Sequence, residues 1–168
     1  NEGRMFTFYL RKGVKWSDGE PFTADDIMFW YEDIICNDEL TPAFPVWFST
    51  EGGSGKVEKV DTYTVKITFS EPNPLFVEDM AGPFYGEIFA PKHYLKQFHP
   101  RYVDKAKLDE MVKRAGFDFW HQLFSDRNDR WANPERPVLS AWKPVNAITG
   151  ATRVTWERNP YYWKIDTE

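Results

Sequence analysis

A chain of 168 residues is the size of one domain and long enough to hide roughly 70% of its unfolded surface. A net charge of -5 at pH 7, with no dense Lys/Arg cluster, argues against a phosphate-backbone partner, so no nucleic acid is expected. No apolar run approaches the ~20 residues that span a bilayer, and a single cysteine, Cys36, excludes an internal disulfide and a thiol-rich metal site.

In chain order, Phe6, Phe8 and Leu10 alternate with Thr7, Tyr9 and Arg11, the period of two of a half-buried strand. That strand begins almost at the first residue, which suggests a fragment cut from a longer chain. Asp18-Gly19-Glu20-Pro21 predicts a turn. Thr23, three residues before Asp26, can then satisfy orphan N–H groups at a helix start. Ile27, Trp30, Tyr31 and Ile34 form the stripe of that helix, with Met28 and Ile35 on its flank. Asp25, Asp26, Glu32 and Asp33 are expected in water or near the positive end. The helix should stop at Cys36 or Asn37, with Cys36 packed as a small buried hydrophobe.

Residues 38–55 show neither period and read as a long surface loop, with the aromatic run Phe44-Pro45-Val46-Trp47-Phe48 and the tip Gly52-Gly53-Ser54-Gly55. Residues 57–60 and 63–69 predict a hairpin across Asp61-Thr62, with Tyr63, Val65, Ile67 and Phe69 on one face. A short helix follows from Leu75 and closes near Gly82, before another irregular aromatic stretch. Past Pro91, a short helix carries Tyr94, Leu95 and Phe98. A cleaner one carries Leu108, Met111, Val112 and Ala115 and is stopped by Gly116. Asp118 is expected to cap a further helix bearing Phe119, Trp120, Leu123 and Phe124, completing a helical hairpin. Residues 154–156 predict a last strand running into Asn159-Pro160-Tyr161-Tyr162-Trp163. These elements amount to an α+β fold, an antiparallel or mixed sheet flanked by helices.

No constellation for covalent chemistry is visible. His93, His99 and His121 read as surface histidines, and the spacing of His93 and His99, broken by Pro100, does not put two imidazoles on one metal. Asp25-Asp26 and Glu78-Asp79 are adjacent pairs whose carboxylates diverge. The glycine-rich tip lacks the Lys-Ser/Thr of a phosphate loop. An enzyme is therefore not expected, and neither a cofactor nor a metal is implied. Aromatics make up 18% of the chain, with eight Trp, eight Tyr and fourteen Phe, and large rings either fill cores or form stacking surfaces. Phe44 and Trp47 are the candidate ligand-contacting residues, weighed against packing at the edge of a core, with Trp142 a weaker third. A carbohydrate-binding module is the rival reading that the Trp and Tyr content raises.

The segment Leu10-Arg11-Lys12-Gly13-Val14-Lys15-Trp16-Ser17-Asp18-Gly19-Glu20-Pro21-Phe22-Thr23-Ala24-Asp25-Asp26-Ile27 resembles the signature of family 5 extracellular solute-binding proteins. Further resemblances lie at Val57-Glu58-Lys59-Val60-Asp61 through Phe69-Ser70-Glu71-Pro72, at Ala90-Pro91-Lys92-His93-Tyr94, and at Glu157-Arg158-Asn159-Pro160-Tyr161-Tyr162-Trp163, in the family's order. The resemblance implies a type II, cluster C periplasmic-binding-protein-like fold. Residues 1–150 would form an extra subdomain of the N-terminal lobe, and residues 151–168 a strand and turn returning to the main sheet. It further implies an ABC-transporter receptor, periplasmic or extracellular and lipid-anchored at full length, that captures a small solute, expected to be a peptide, and passes it to a membrane permease. A sugar-specific member is the alternative. One departure bears on that choice: Arg136-Pro137-Val138-Leu139-Ser140-Ala141-Trp142 stands where the family often has a Gly-Thr-Gly-Pro-Tyr-like turn, which weakens the transfer of peptide specificity. The signature itself reads as scaffold, with Gly13 and Gly19 taking turn conformations and Trp16 covering the turn.

Overall fold

A computed structural model of the chain describes residues 2–82 and 88–164. It divides into two compact units, one of Asn1–Lys12 and Thr23–Ala90, the other of Gly13–Phe22 and Pro91–Glu168.

The first unit is built on an antiparallel sheet of β1 (Met5–Tyr9), β4 (Lys56–Asp61) and β5 (Thr64–Thr68), in the order β1-β5-β4. Its register follows from the alternation. Phe6, Ile67 and Val57 are cross-strand partners, as are Phe8 and Val65, so the apolar residues share one face. Thr7, Lys66 and Glu58 align on the other, where Lys66 and Glu58 form an ion pair. A register shift between Lys59 and Asp61 leaves Val60 exposed. In the hairpin turn, Asp61 Oδ1 accepts from the Tyr63 N–H at 2.7 Å. That bond, helped by the Thr64 hydroxyl, holds the Asp61 carboxyl below its ordinary value.

The helix α1 (Ala24–Phe29) starts as expected, with Thr23 Oγ1 accepting from the Asp25 N–H and Asp26 Oδ2 accepting from the Thr23 N–H at 3.0 Å. It then widens into a π-helical segment, Trp30–Ile35, in which the Cys36 N–H reaches back five residues to the Tyr31 carbonyl at 3.0 Å. The extra residue per turn rotates the apolar stripe and corrects two expectations. Asp33 and Ile35 turn inward and are buried, and Cys36, expected in the core, is exposed. Desolvation still pushes the Cys36 thiol up, against a hydrogen bond from Tyr31 that lowers it.

Residues 38–55 are also more ordered than expected. They contain a 3₁₀ turn at Val46–Phe48 and a two-stranded ribbon of β2 (Ser49–Thr50) and β3 (Gly53–Ser54). The organiser is Phe48, fully buried. Phe48 lies 5.4 Å from the rings of Trp30 and Trp47, 5.6 Å from Phe69 and 5.8 Å from Phe76. Gly55 completes the fit, since a Cβ there would sit 2.7 Å from Phe69 and 3.0 Å from Phe48. Helix α2 (Phe76–Met80) closes this core with Phe76. The irregular aromatic stretch expected after Gly82 falls mostly on residues 83–87, outside the described residues.

The second unit contains α3 (Lys92–Leu95), continued by a 3₁₀ turn at Lys96–Phe98, then α4 (Lys105–Ala115), α5 (Trp120–Asn128) and a ribbon of β6 (Trp142–Pro144) and β7 (Trp156–Arg158). Helices α4 and α5 pack on each other as the expected hairpin. Asp104 caps α4 through the Ala106 N–H at 2.9 Å, and Gly116 ends it at φ +81°. A Cβ on Gly116 meets nothing within 4 Å, so Gly116→Ala carries only the left-handed backbone penalty. It should lower stability by about 1–2 kcal/mol in urea unfolding. Asp118 does not cap α5. The Gln122 side chain does, its Oε1 accepting from the Asp118 and Phe119 N–H groups at 3.0 and 3.1 Å, because a carboxamide one turn inside the helix reaches both donors.

Two more expectations are corrected here. His99 is buried, its ring against Trp120 and Phe124 at 5.0 and 5.7 Å and its Nδ1 accepting from the Arg101 N–H. Pro100 breaks the helix and turns the imidazole inward. The last strand begins at Trp156, later than expected, because Asn146 holds the preceding residues in a loop through Arg153 O and the Thr155 N–H. The described strands pair only antiparallel, and with their helices they form the α+β class expected.

Candidate functional site

The middle of the signature segment, Gly13–Phe22, becomes a hub of the second unit. Gly13 and Gly19 adopt φ of +85° and +94°, and Lys15 bridges to Pro21 across the turn. Trp16 is buried, with Phe22 at 5.8 Å and His93 at 6.2 Å. His93 Nε2 meets Asp18 Oδ2 at 2.7 Å, which ties the signature to the Pro91-Lys92-His93-Tyr94 motif. The last motif, Glu157 to Trp163, arrives at the same place. The Ser17 N–H donates to the Val138 carbonyl at 2.9 Å, and Ser17 Oγ accepts from the Val138 N–H at 3.1 Å. Asn159 Nδ2 donates to the carbonyls of Val138 and Ser140, and its Oδ1 accepts from the Tyr161 N–H at 2.9 Å. Tyr161 lies 3.1 Å from where a Gly19 Cβ would be, and Lys15 Nζ stands over its ring. Motifs far apart in sequence therefore meet as one packed scaffold.

The candidate ligand residues fall in different units. Phe44 is half-buried, its ring 6.0 Å from Phe48. Trp47 stacks on Trp30 at 6.1 Å and on Phe76 at 6.3 Å, and its carbonyl faces Asn73 Nδ2. Phe48 joins the two into the core of the first unit. Trp142 stands at the start of β6 in the second unit and is 56% exposed.

Sequence reasoning missed two other tryptophans beside Trp142. Trp142 pairs with Arg158, and Pro144 pairs with Trp156, so Trp142 and Trp156 project from one face of the ribbon. The opposite face carries the Lys143–Glu157 ion pair at 2.7 Å. Trp131 meets Trp156 edge to face at 6.2 Å, and the Arg130 guanidinium lies 4.7 Å from the Trp131 ring. All three indoles are exposed. Only the abundance of Trp hinted at this cluster, since its members are brought together by strand pairing across a loop.

No group of three His, Cys, Asp or Glu that could hold a metal occurs among the described residues. No helix of the described residues is long and apolar enough to cross a membrane. The arrangement offers ring faces and hydrogen-bonding groups for recognition.

Comparison with known proteins matches residues 1–167 to bacterial extracellular solute-binding proteins, family 5 Middle. The periplasmic alpha-galactoside-binding protein of Rhizobium meliloti is 34% identical over 98% of this chain, which spans 21% of that protein. Among solved structures, an oligopeptide-binding protein OppA superposes with a TM-score of 0.87 at 46% identity, covering 99% of this chain and 25% of its own. The periplasmic binding protein MelB of Agrobacterium fabrum, in complex with stachyose, gives 0.69 at 34% identity over 99% of this chain and 23% of its own. The chain thus spans about a quarter or less of the length of these relatives. With the family matched from end to end and three of its motifs gathered into the hub around Ser17, Val138 and Asn159, the chain belongs to the family 5 bacterial extracellular solute-binding proteins.

Proposed function

We propose that this chain is part of the substrate-binding protein of an ABC transporter, which captures a short oligomeric solute in the periplasm or outside the cell and passes it to a membrane permease. The observation that carries this reading is the family match over residues 1–167. In that receptor, residues 1–150 form the extra subdomain of the N-terminal lobe and residues 151–168 lead back to its main sheet. A lipid anchor in the full-length protein belongs to the same reading. Capture needs no covalent step: ligand stabilises a closed state through contacts that the open state lacks.

The solute class the geometry favours is an oligosaccharide. Its supports are the exposed indoles of the second unit, the segment ending at Trp142 in place of the turn frequent in the family, and relatives named for alpha-galactosides and stachyose. A peptide is the second reading, favoured by the 46% identity to an oligopeptide-binding protein. In this second reading Phe44 and Trp47 supply one wall of the cleft. Calorimetry on the full-length protein with stachyose and with a pentapeptide distinguishes the two. Saturable heat with stachyose alone is expected, and saturable heat with the pentapeptide alone would reverse the order. Within the peptide reading, Phe44→Ala should weaken binding, and unchanged affinity would remove Phe44 from the site.

A further inference from the structure

Asp18-Gly19 is the one Asp-Gly pair in the chain, and Asn-Gly does not occur. In a flexible chain this dipeptide rearranges. The Gly19 nitrogen attacks Asp18 Cγ, an N–Cγ bond forms, and the carboxylic acid's O–H group leaves with the nitrogen's proton as water. Water then adds to the resulting five-membered imide. Opening at the Asp18 main-chain carbonyl sends the backbone on through Cβ and Cγ, as isoaspartate. Glycine makes the step easy, because it has no Cβ to hinder the nitrogen or restrict the backbone. The rearrangement needs no oxidant, cofactor or enzyme.

Each reacting group is engaged in the folded turn. The Gly19 N–H donates to Trp16 O at 2.9 Å, inside a turn closed by the Trp16 N–H on Glu20 O at 2.8 Å and by the bridge between Lys15 and Pro21. Of the carboxyl oxygens, Oδ1 accepts from the Glu20 N–H at 3.3 Å, and Oδ2 lies 2.7 Å from His93 Nε2, which donates when it carries the ring proton. An oxygen that leaves as water must first give up its partner and take up protons, so a carboxylate that accepts two bonds tends to keep both oxygens. The Asp18 side chain is 41% exposed. Exclusion of water therefore does not protect it, and the contacts must.

The turn is also pinned on either side. Ser17 exchanges two hydrogen bonds with Val138, and the Tyr161 ring lies against Gly19. Trp16 is 1% exposed, so the turn cannot swing without uncovering its ring. All these contacts lie within the second unit, and what they do is independent of what else the polypeptide packs against that unit.

We propose that the turn at Asp18-Gly19 is held against isoaspartate formation by its own contacts, with His93 as the residue that fixes the Asp18 carboxylate. Asp18 is then the place where the chain ages once those contacts are lost. The extra methylene in the main chain would break the turn that carries the bonds to Trp16 and Val138.

The test uses the full-length protein, held for a prolonged period at pH 7, with peptide mapping that separates the aspartate, imide and isoaspartate forms at Asp18. The wild type should accumulate isoaspartate roughly tenfold or more slowly than the same protein in urea, because attack waits on local opening. His93→Ala should speed the reaction several-fold. His93→Gln, which returns an N–H donor of similar reach, should recover most of the protection. Gly116→Ala, which weakens the fold without touching the turn, should leave the rate unchanged. Equal rates in native and urea-unfolded wild type would overturn the protection. A wild-type rate in His93→Ala would remove His93 from it. Equal acceleration in His93→Ala and Gly116→Ala would overturn the local guard as well, by tracing the protection to overall stability.

Discussion

Phe48→Ala is expected to lower the unfolding free energy by about 3–5 kcal/mol, the range for emptying an aromatic site in a close-packed core. Phe48 is fully buried and its ring is within 6.3 Å of six others, those of Trp30, Tyr31, Phe44, Trp47, Phe69 and Phe76. Those neighbours come from the π-helical segment, the 3₁₀ turn and the residues before it, the residue after β5, and α2, so no single element can shift to fill the space. Gly55 has no side chain to move into it. Phe44→Ala, at the half-buried edge of the same cluster, should cost clearly less. Urea denaturation followed by tryptophan fluorescence measures both, with Trp30 and Trp47 reporting the cluster directly. A loss under about 1 kcal/mol for Phe48→Ala would mean that the 3₁₀ turn is not packed as described.

That residue marks where sequence reading succeeded and where it stopped. The hairpin of β4 and β5 and the capped start of α1 were legible because their causes are local. Alternation from Tyr63 to Phe69 sets a face, and Thr23 and Asp26 satisfy each other within one turn. The widening of the helix at Trp30 was not legible, since nothing in the sequence between Trp30 and Cys36 departs from an amphipathic α pattern. The shift in phase reversed the expected positions of Asp33 and Cys36. The aromatic run at residues 44–48 was visible, but which ring enters the core depends on partners 20 or more residues away, such as Phe69 and Phe76. The candidate site was less legible still. Trp142 stood out as a lone ring after a proline-rich linker, whereas its neighbours Trp131 and Trp156 depend on a strand register that Lys143 and Glu157 stabilise from the other face. The family motifs gave the opposite case. Each was visible as a string, and for the three that meet in the second unit the structure supplies the physical reason, which is that they touch.

Asn159→Ala tests that reason where the contacts are densest. Asn159 is 1% exposed. Its Nδ2 serves Val138 O and Ser140 O, its Oδ1 receives the Tyr161 N–H, and its own N–H donates to Ala141 O at 2.8 Å. Alanine keeps only the last of these bonds. Val138 O retains the Ser17 N–H, but the side-chain bonds to Ser140 O and Tyr161 are removed, and each buried polar group left unmet costs about 1–3 kcal/mol. A total loss of about 2–4 kcal/mol is therefore expected, and less than about 1 kcal/mol would mean that water replaces the side chain. Asn159→Asp sharpens the test through its pH dependence. The carboxylate can still accept from Tyr161, but its second oxygen faces the carbonyls of Val138 and Ser140, where only a donor is tolerated. Burial and those carbonyls favour the neutral acid in the folded state, raising its pKa above the value of about 3.9 for an unfolded chain. The variant's stability relative to wild type is then best below that value and falls as pH rises through the folded-state pKa. Urea unfolding of both proteins at pH 4 and pH 7 should show the gap widening at the higher pH, and a constant gap would remove Val138 and Ser140 as the groups that Asn159 serves.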